Sequence, residues 1–412
     1  MPTRRGIGML LGGGLAWAGG RLFGIPELYI IAVAAVALVA AAMVGVGMAS
    51  GAVAVRRRLS EPRAHARDHL EVLVDLRNDG RLPTGLLLLE DACPVLLRDG
   101  AAAGTRPGRF AIAGISPGTT VTRSYPIVAA ARGRWNIGPM TLRLRDPFGV
   151  AERRRRYRAT SELLIYPEVH ELAHGPLPAV AHAGGTSERR RLLDSGDEFH
   201  TMREYRDGDD LRRVHWASTA RRGKLMVRQN EQPWAAQATL LLDTRAAAHH
   251  GGGPSSTFEQ SVVATASVAA HLSRRGYDVR LTTVGDPHRP VIAPLHTHLE
   301  RLAEVEPSDK GALRLTLDGL RRGGLDGLLV AIVAAPPGRA PLSADPEARA
   351  LLQLARSAPK AIALVSDRGD GRGDELVALL RSARWRAAPM SGSVETAWAE
   401  VLKSPRRRGV PA

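Results

Sequence analysis

The sequence predicts a mixed fold, α/β plus all-β: an N-terminal transmembrane helical hairpin, a small β-sandwich, and an α/β domain built on a parallel sheet. Three observations predict it. Residues 28–55 carry no charge over more than the roughly 20 residues that a helix needs to cross a bilayer. From residue 70, Leu70, Val72, Val74 and Leu76 alternate with the charged Glu71, Asp75 and Arg77, the period of a half-buried strand. After Gln237, apolar runs at 238–242, 279–284, 328–334 and 361–365 alternate with helical patterns around 259–275, 347–355 and 375–382, the rhythm of βαβ units whose sheet is covered on both faces.

Taken in order, the elements begin with Arg4 and Arg5, which precede an apolar, glycine-rich stretch at 7–23; Gly24-Ile25-Pro26-Glu27 then turns the chain into the longer stretch. The first stretch is the weaker span, because its glycines lower hydrophobicity and Arg21 stands near its end. With Arg4, Arg5 and Ala16-Trp17-Ala18 it also reads as a cleavable leader. Both readings predict one topology. Arg56, Arg57 and Arg58, followed by Arg63 and Arg67, load the exit of the second stretch with positive charge, which is retained in the cytoplasm. The expectation is a multi-pass protein of the cell membrane with its C-terminal domains cytoplasmic. Gly8-x-x-x-Gly12 and Gly47-x-x-x-Gly51 offer places for close helix approach.

Beyond the hairpin, assigned to residues 1–58, short strand-like runs at 70–77, 86–89, 110–112, 121–125 and 140–144 are punctuated by Asn78-Asp79-Gly80 and Ser116-Pro117-Gly118. That spacing predicts a β-sandwich over 59–167. A connector follows at 168–236, the α/β domain at 237–404 and a disordered tail at 405–412.

The formal net charge is +16, a balance that would ordinarily indicate nucleic acid or an anionic surface. Lysine, however, is confined to Lys224, Lys310, Lys360 and Lys403; an arginine bias of this kind also follows from base composition, and nucleic acid is not expected as a partner. Cys93 is the single cysteine, which rules out an internal disulfide and thiolate zinc sites. No cofactor is implied.

Three motifs carry competing readings. His170-Glu171-Leu172-Ala173-His174 matches H-E-x-x-H, in which two histidines one helical turn apart bind zinc and the glutamate activates water; a membrane-bound zinc hydrolase using His170, Glu171 and His174 is therefore the alternative functional class. Pro167 before it and Gly175-Pro176 after it leave about two turns of helix at most, and Leu177 and Val180 stand where the extended motif has Gly and His. The bland reading is a short polar helix. Gly114-Ile115-Ser116-Pro117-Gly118 imitates a nucleophile elbow, but Pro117 sits where the helix should start, and a hairpin turn is expected. Asp243 ends the first α/β strand, where open sheets place ligands; as a bland alternative it is a strand-end or helix-capping residue.

A strand that ends in Asp and opens an α/β domain resembles the von Willebrand factor A fold, whose D-x-S-x-S motif binds magnesium through the Asp and both Ser. Here Asp243-Thr244-Arg245-Ala246-Ala247 places Arg245 and Ala247 at the serine positions, so the resemblance implies a degenerate motif with no metal.

The stretch Arg203-x-Tyr205-x-x-Gly208-Asp209-Asp210-x-Arg212-x-Val214-His215-Trp216, followed by Ala220-Arg221, resembles the bacterial family called domain of unknown function 58. Ala131 to Pro139, Asp146-Pro147-Phe148-Gly149-Val150 and Ile165-Tyr166-Pro167 resemble its upstream segments. The resemblance implies the whole architecture, a location in the bacterial cell membrane and, as partner, a MoxR-type AAA+ ATPase, beside which members are commonly encoded. On their own terms these residues pair Arg forks with carboxylates and stack Arg planes on aromatic rings. Such a network either clasps domains together or presents a docking surface; catalysis by Asp209 and His215 lacks a visible nucleophile. The expected function is a non-enzymatic, membrane-anchored scaffold or adaptor.

Overall fold

The computed structural model describes residues 1–94, 108–177, 200–205, 214, 216–230, 236–286, 290–323, 327–338, 341–358 and 361–403. The expected tail at 405–412 lies outside them. The chain forms two compact units, the first chiefly residues 1–169, the second chiefly those that follow.

The first unit opens with α1 (Arg4–Phe23) and α2 (Pro26–Gly51), which pack side by side as a hairpin. Thr3 caps α1 by accepting from Gly6 N at 3.2 Å. Gly24, at φ +68, ends it in the left-handed conformation that glycine adopts freely, and Pro26 starts α2 where its missing N–H is harmless. The close approach is made by Gly13 and Gly20, not by the predicted pairs. A Cβ at Gly13 would lie 3.2 Å from that of Ala35, and one at Gly20 would lie 3.3 Å from Leu28 and Tyr29. At Gly8, Gly12 and Gly51 it would meet nothing within 4 Å, and at Gly47 only Arg153. Among the described residues, α2 is the one helix long and apolar enough to cross a membrane; α1, with its seven glycines, does not reach that level, and a multi-pass topology lacks support. The apolar run also ends sooner than expected, because Val53 and Val55 belong to β1 (Val53–Leu59) and pair with Asn78 and Leu76.

The rest of this unit comprises β2 (Arg63–His65), β3 (His69–Asn78), β4 (Leu86–Asp91), β5 (Arg109–Ile112), β6 (Thr120–Val128), β7 (Gly133–Ile137), β8 (Met140–Arg145), β9 (Glu152–Tyr157) and β10 (Ser161–Tyr166). They form three small sheets, β1-β3-β6, β2-β10-β7 and β5-β4-β8-β9. Every other side chain of β3 points inward, and Val72, Val74, Leu76, Leu87, Leu142 and Ile165 share one apolar core. Residues 116–119 form a turn, in which Thr119 N donates to Ser116 O at 3.2 Å and Gly118 takes φ +71; it joins β5 and β6 of different sheets and is not the expected hairpin turn. Within the core lies a charge pair. Arg57 clamps Asp91 bidentately, both side chains buried, and Tyr125 donates its hydroxyl to Asp91 Oδ2 at 2.8 Å. Burial, then the Asp91 charge, pushes the Tyr125 phenol far above its ordinary range.

The chain beyond residue 169 contains β11 (His200–Glu204), α3 (Trp216–Arg222) and β12 (Met226–Asn230), then β13 (Ala236–Leu242), α4 (Thr257–Arg274), β14 (Tyr277–Thr283), α5 (Leu295–Glu304), α6 (Leu313–Gly323), β15 (Leu328–Ala334), α7 (Pro346–Ser357), β16 (Ala361–Ser366), α8 (Arg372–Ser382), β17 (Arg386–Pro389) and α9 (Val394–Lys403); all but the part of α5 from Leu299 belongs to the second unit. The five-stranded sheet runs β14-β13-β15-β16-β17, parallel at every pairing. All of β15 and β16 is buried, which explains why these strands read as unbroken apolar runs rather than alternations. Ser256 and Asp345 cap α4 and α7 through their side-chain oxygens.

Candidate functional site

The signature stretch folds as strand, helix, strand. β11 pairs antiparallel with β12, Arg203 opposite Val227 and Glu204 opposite Met226. Tyr205 N extends the ladder to Leu225 O at 2.8 Å, and its ring is half-buried. Helix α3 lies between the strands in sequence and is tied to β12 by Met226 N, which donates to Thr219 Oγ1 at 3.1 Å. Trp216 heads this helix and is 68% exposed; Ala220, Arg221, Arg222 and Lys224 are exposed after it. Of the expected site residues, Arg203, Tyr205, Trp216, Ala220 and Arg221 are thus gathered on one small module, whereas Gly208, Asp209, Asp210, Arg212 and His215 lie outside the described residues.

The second cluster stands at the carboxyl end of β13. Asp243 is fully buried and receives four donors: Arg245 N at 3.1 Å, Arg245 Nε at 2.8 Å, Arg245 Nη2 at 2.5 Å and Ala334 N at 3.1 Å. The remaining arm of Arg245 reaches Glu347 in α7. His249 Nε2 donates to the Asp243 carbonyl at 2.9 Å, and Thr244 Oγ1 donates to Val284 O at 3.0 Å. Burial holds the His249 imidazole below its ordinary pKa, and the nearby Arg245 and Arg368 guanidiniums push the same way. Asp243 is thus the strand-end residue expected, directly after β13, and the Arg245 guanidinium fills the place beside its carboxylate.

The H-E-x-x-H segment is not helical. Residues 167–177 take neither helix nor strand, Pro167 and Pro176 having removed donors that a helix would need. The segment lies as a strap on α4 and α9. His170 N donates to Ser267 Oγ at 2.9 Å, Trp398 Nε1 to Ala173 O at 3.2 Å, and Arg275 Nη1 to Gly175 O at 2.9 Å. His170 Nδ1 pairs with Glu395 at 2.8 Å, while the His174 ring meets that of His271 edge-on at 5.3 Å. The two imidazoles therefore face different partners, and among the described residues no group of three His, Cys, Asp or Glu side chains is placed to hold a metal ion.

Residues 201–330, which begin in β11 and run through the Asp243 cluster into β15, match the family model described as "Protein of unknown function DUF58". Over these residues the chain is similar to the DUF58 family. An "Uncharacterized protein YeaD" from Bacillus subtilis (strain 168) is 25% identical over 233 residues, 56% of this chain and 55% of that protein; the match thus spans about half the length of the relative. Among solved structures, the CARDB domain of a Pyrococcus furiosus protein in complex with di-metal ions aligns at 11% identity and TM-score 0.19, covering 27% of this chain and 91% of that one. A complex of Zinc 2-glycoprotein and Prolactin inducible protein from human seminal plasma aligns at 7% identity and TM-score 0.21, covering 27% and 92%.

Within the DUF58 region the signature was legible as a motif, because its polar and aromatic residues are contiguous. Glu347 was not. It lies outside the motif, 102 residues from the arginine it neutralises, and its signal in the sequence is no more than a glutamate in the first turn of a helix.

Proposed function

We propose that this chain is a membrane-anchored adaptor, not an enzyme: α2 spans the bacterial cell membrane, α1 packs along it, the domains that follow lie in the cytoplasm, and the exposed face of α3 docks a MoxR-type AAA+ ATPase. The exposed Trp216 carries the reading. Tryptophan is seldom left in water, and with arginine it dominates the contacts that hold protein interfaces; here Arg221 and Arg222 stand on the same short helix. The α/β unit we take to be von Willebrand A-like, from its parallel sheet and the acid at the end of β13. In it the Asp243 carboxylate is already saturated by Arg245, which supports a binding role resting on surface side chains rather than on a strand-end cation.

The test is binding of a purified MoxR-type ATPase to the full chain in detergent, wild type beside Trp216→Ala/Arg221→Ala, with thermal melts of both. The expected result is a loss of affinity of at least tenfold with an unchanged melt. Equal binding by both proteins would overturn the docking surface, and a collapsed melt would make the stretch structural.

A further inference from the structure

The two helices leave the first unit at one rim of its sheets, and that rim is basic. Thr3 N donates to Val150 O at 2.8 Å and Thr3 Oγ1 to Gly149 O at 2.6 Å, which sets the start of α1 on the turn between β8 and β9. Edge strand β9, reading Glu-Arg-Arg-Arg-Arg-Tyr, runs beside the end of α2. Cross-strand pairs share a face, so Arg153, Arg155 and Tyr157 lie on the face of Leu144, Leu142 and Met140. They meet the helix: Arg153 lies beside Gly47, Arg155 Nη1 donates to Ser50 O at 3.0 Å, and Tyr157 donates to Val53 O at 2.7 Å. Arg155 thereby satisfies C-terminal carbonyls at the negative end of the helix dipole. Arg154 and Arg156 occupy the other face and are exposed.

Among the described residues, those two arginines make no ion pair within the fold. Arg154 sits opposite Arg143, a like-charge pairing that weakens a sheet. The nearby acids are engaged elsewhere, Asp146 with the Phe148 and Ala151 amides and Glu152 with Arg145. Among the described residues, Arg4, Arg5, Arg154 and Arg156 pair with no carboxylate. Depth is the second observation. Counting the roughly 20 residues that cross the hydrocarbon from Leu28, the first after Glu27, ends at Gly47, where Arg153 stands. The start of β9 is therefore level with the headgroups, and Phe148, on the adjoining turn, is 64% exposed.

Building on the reading that α2 spans the membrane, we infer that Arg4, Arg5, Arg154 and Arg156, with Phe148, form a docking surface for anionic phospholipid headgroups, which seats the first unit on the bilayer. Guanidinium forks bind phosphate oxygens bidentately, and the aromatic ring enters the interfacial layer.

Delipidated full chain in detergent is offered phosphatidylglycerol, phosphatidylcholine or inorganic phosphate, and bound molecules are counted by native mass spectrometry. Wild type is expected to prefer phosphatidylglycerol, and Arg154→Gln/Arg156→Gln to lose that preference by roughly fivefold for each arginine removed, while Arg154→Lys/Arg156→Lys keeps most of it. Equal uptake of both lipids, or a preference unchanged in the glutamine variant, overturns the lipid surface. So does inorganic phosphate that occupies the site as well as the lipid does. Alkaline carbonate extraction of membranes tests the underlying reading separately: a chain released from the membrane sinks the span and this proposal together, and a retained chain without lipid preference sinks this proposal alone.

Discussion

Arg245 holds Asp243 through a two-pronged contact, Nε to Oδ1 at 2.8 Å and Nη2 to Oδ2 at 2.5 Å, with the acid fully buried and the guanidinium nearly so. Such pairs contribute little net stability compared with an apolar replacement, but losing one partner strands a charge. Arg245→Ala is therefore expected to destabilise the chain by about 3–5 kcal/mol, read from denaturant unfolding. Asp243→Asn/Arg245→Met should recover much of the loss, and a double mutant as unstable as the sum of the singles would show that the pair does not act as a unit.

The same logic applies to Arg57 and Asp91 in the first unit, where both side chains are buried. Arg57→Ala should cost about 3–5 kcal/mol. Tyr125→Phe, which removes one hydrogen bond to the carboxylate, should cost about 1–3 kcal/mol. Melts of the two variants side by side give the order.

Helix pairing in the hairpin is expected to depend on Gly13 and Gly20. Gly13→Leu pushes against Ala35, whereas Gly12→Leu points into open space. Resistance to unfolding by a denaturing detergent should fall for the first and hold for the second. Equal behaviour would mean that the seam lies elsewhere.

The strap over α4 brings a pH dependence. Burial first, then the charges of Arg275, His174 and Arg274, push the His271 imidazole down to about 4 from an ordinary value near 6.5. Its folded pKa lies below the unfolded one, so the unfolded chain binds the extra proton. This contribution to stability is complete above about pH 6.5 and is lost as the pH falls towards 4. His271→Gln should flatten the difference in melting temperature across that window; an identical slope in both proteins would remove His271 as the cause.

Much of the fold was legible because local geometry wrote it into the chain. The uninterrupted apolar run of α2 has the length and composition of a helix able to cross a bilayer, the alternation in β3 follows from the pleat, and the buried runs of β15 and β16 follow from helices on both faces of a parallel sheet. The strands β1, β2, β7, β9, β10, β11, β12 and β17 escaped notice. Four successive arginines in β9 carry no apolar period, so only its pairing with β8 makes it a strand.

The sequence by itself determined the long apolar helix, the two kinds of sheet, the resemblance of its signature stretch to DUF58 and the mismatch of Asp243-Thr244-Arg245-Ala246-Ala247 with a metal motif. Each rests on residues adjacent in the chain or spaced by one element's period. Only the tertiary structure decided that Arg245 turns back onto Asp243 and reaches Glu347, that Gly13 and Gly20 make the helix seam, and that His170 and His174 lie on a strap that is not helical. It also set the arginines of β9 around the end of α2. Those outcomes depend on contacts between residues up to 225 positions apart, and such contacts are chosen by packing and charge neutralisation in the folded core, which no local period encodes.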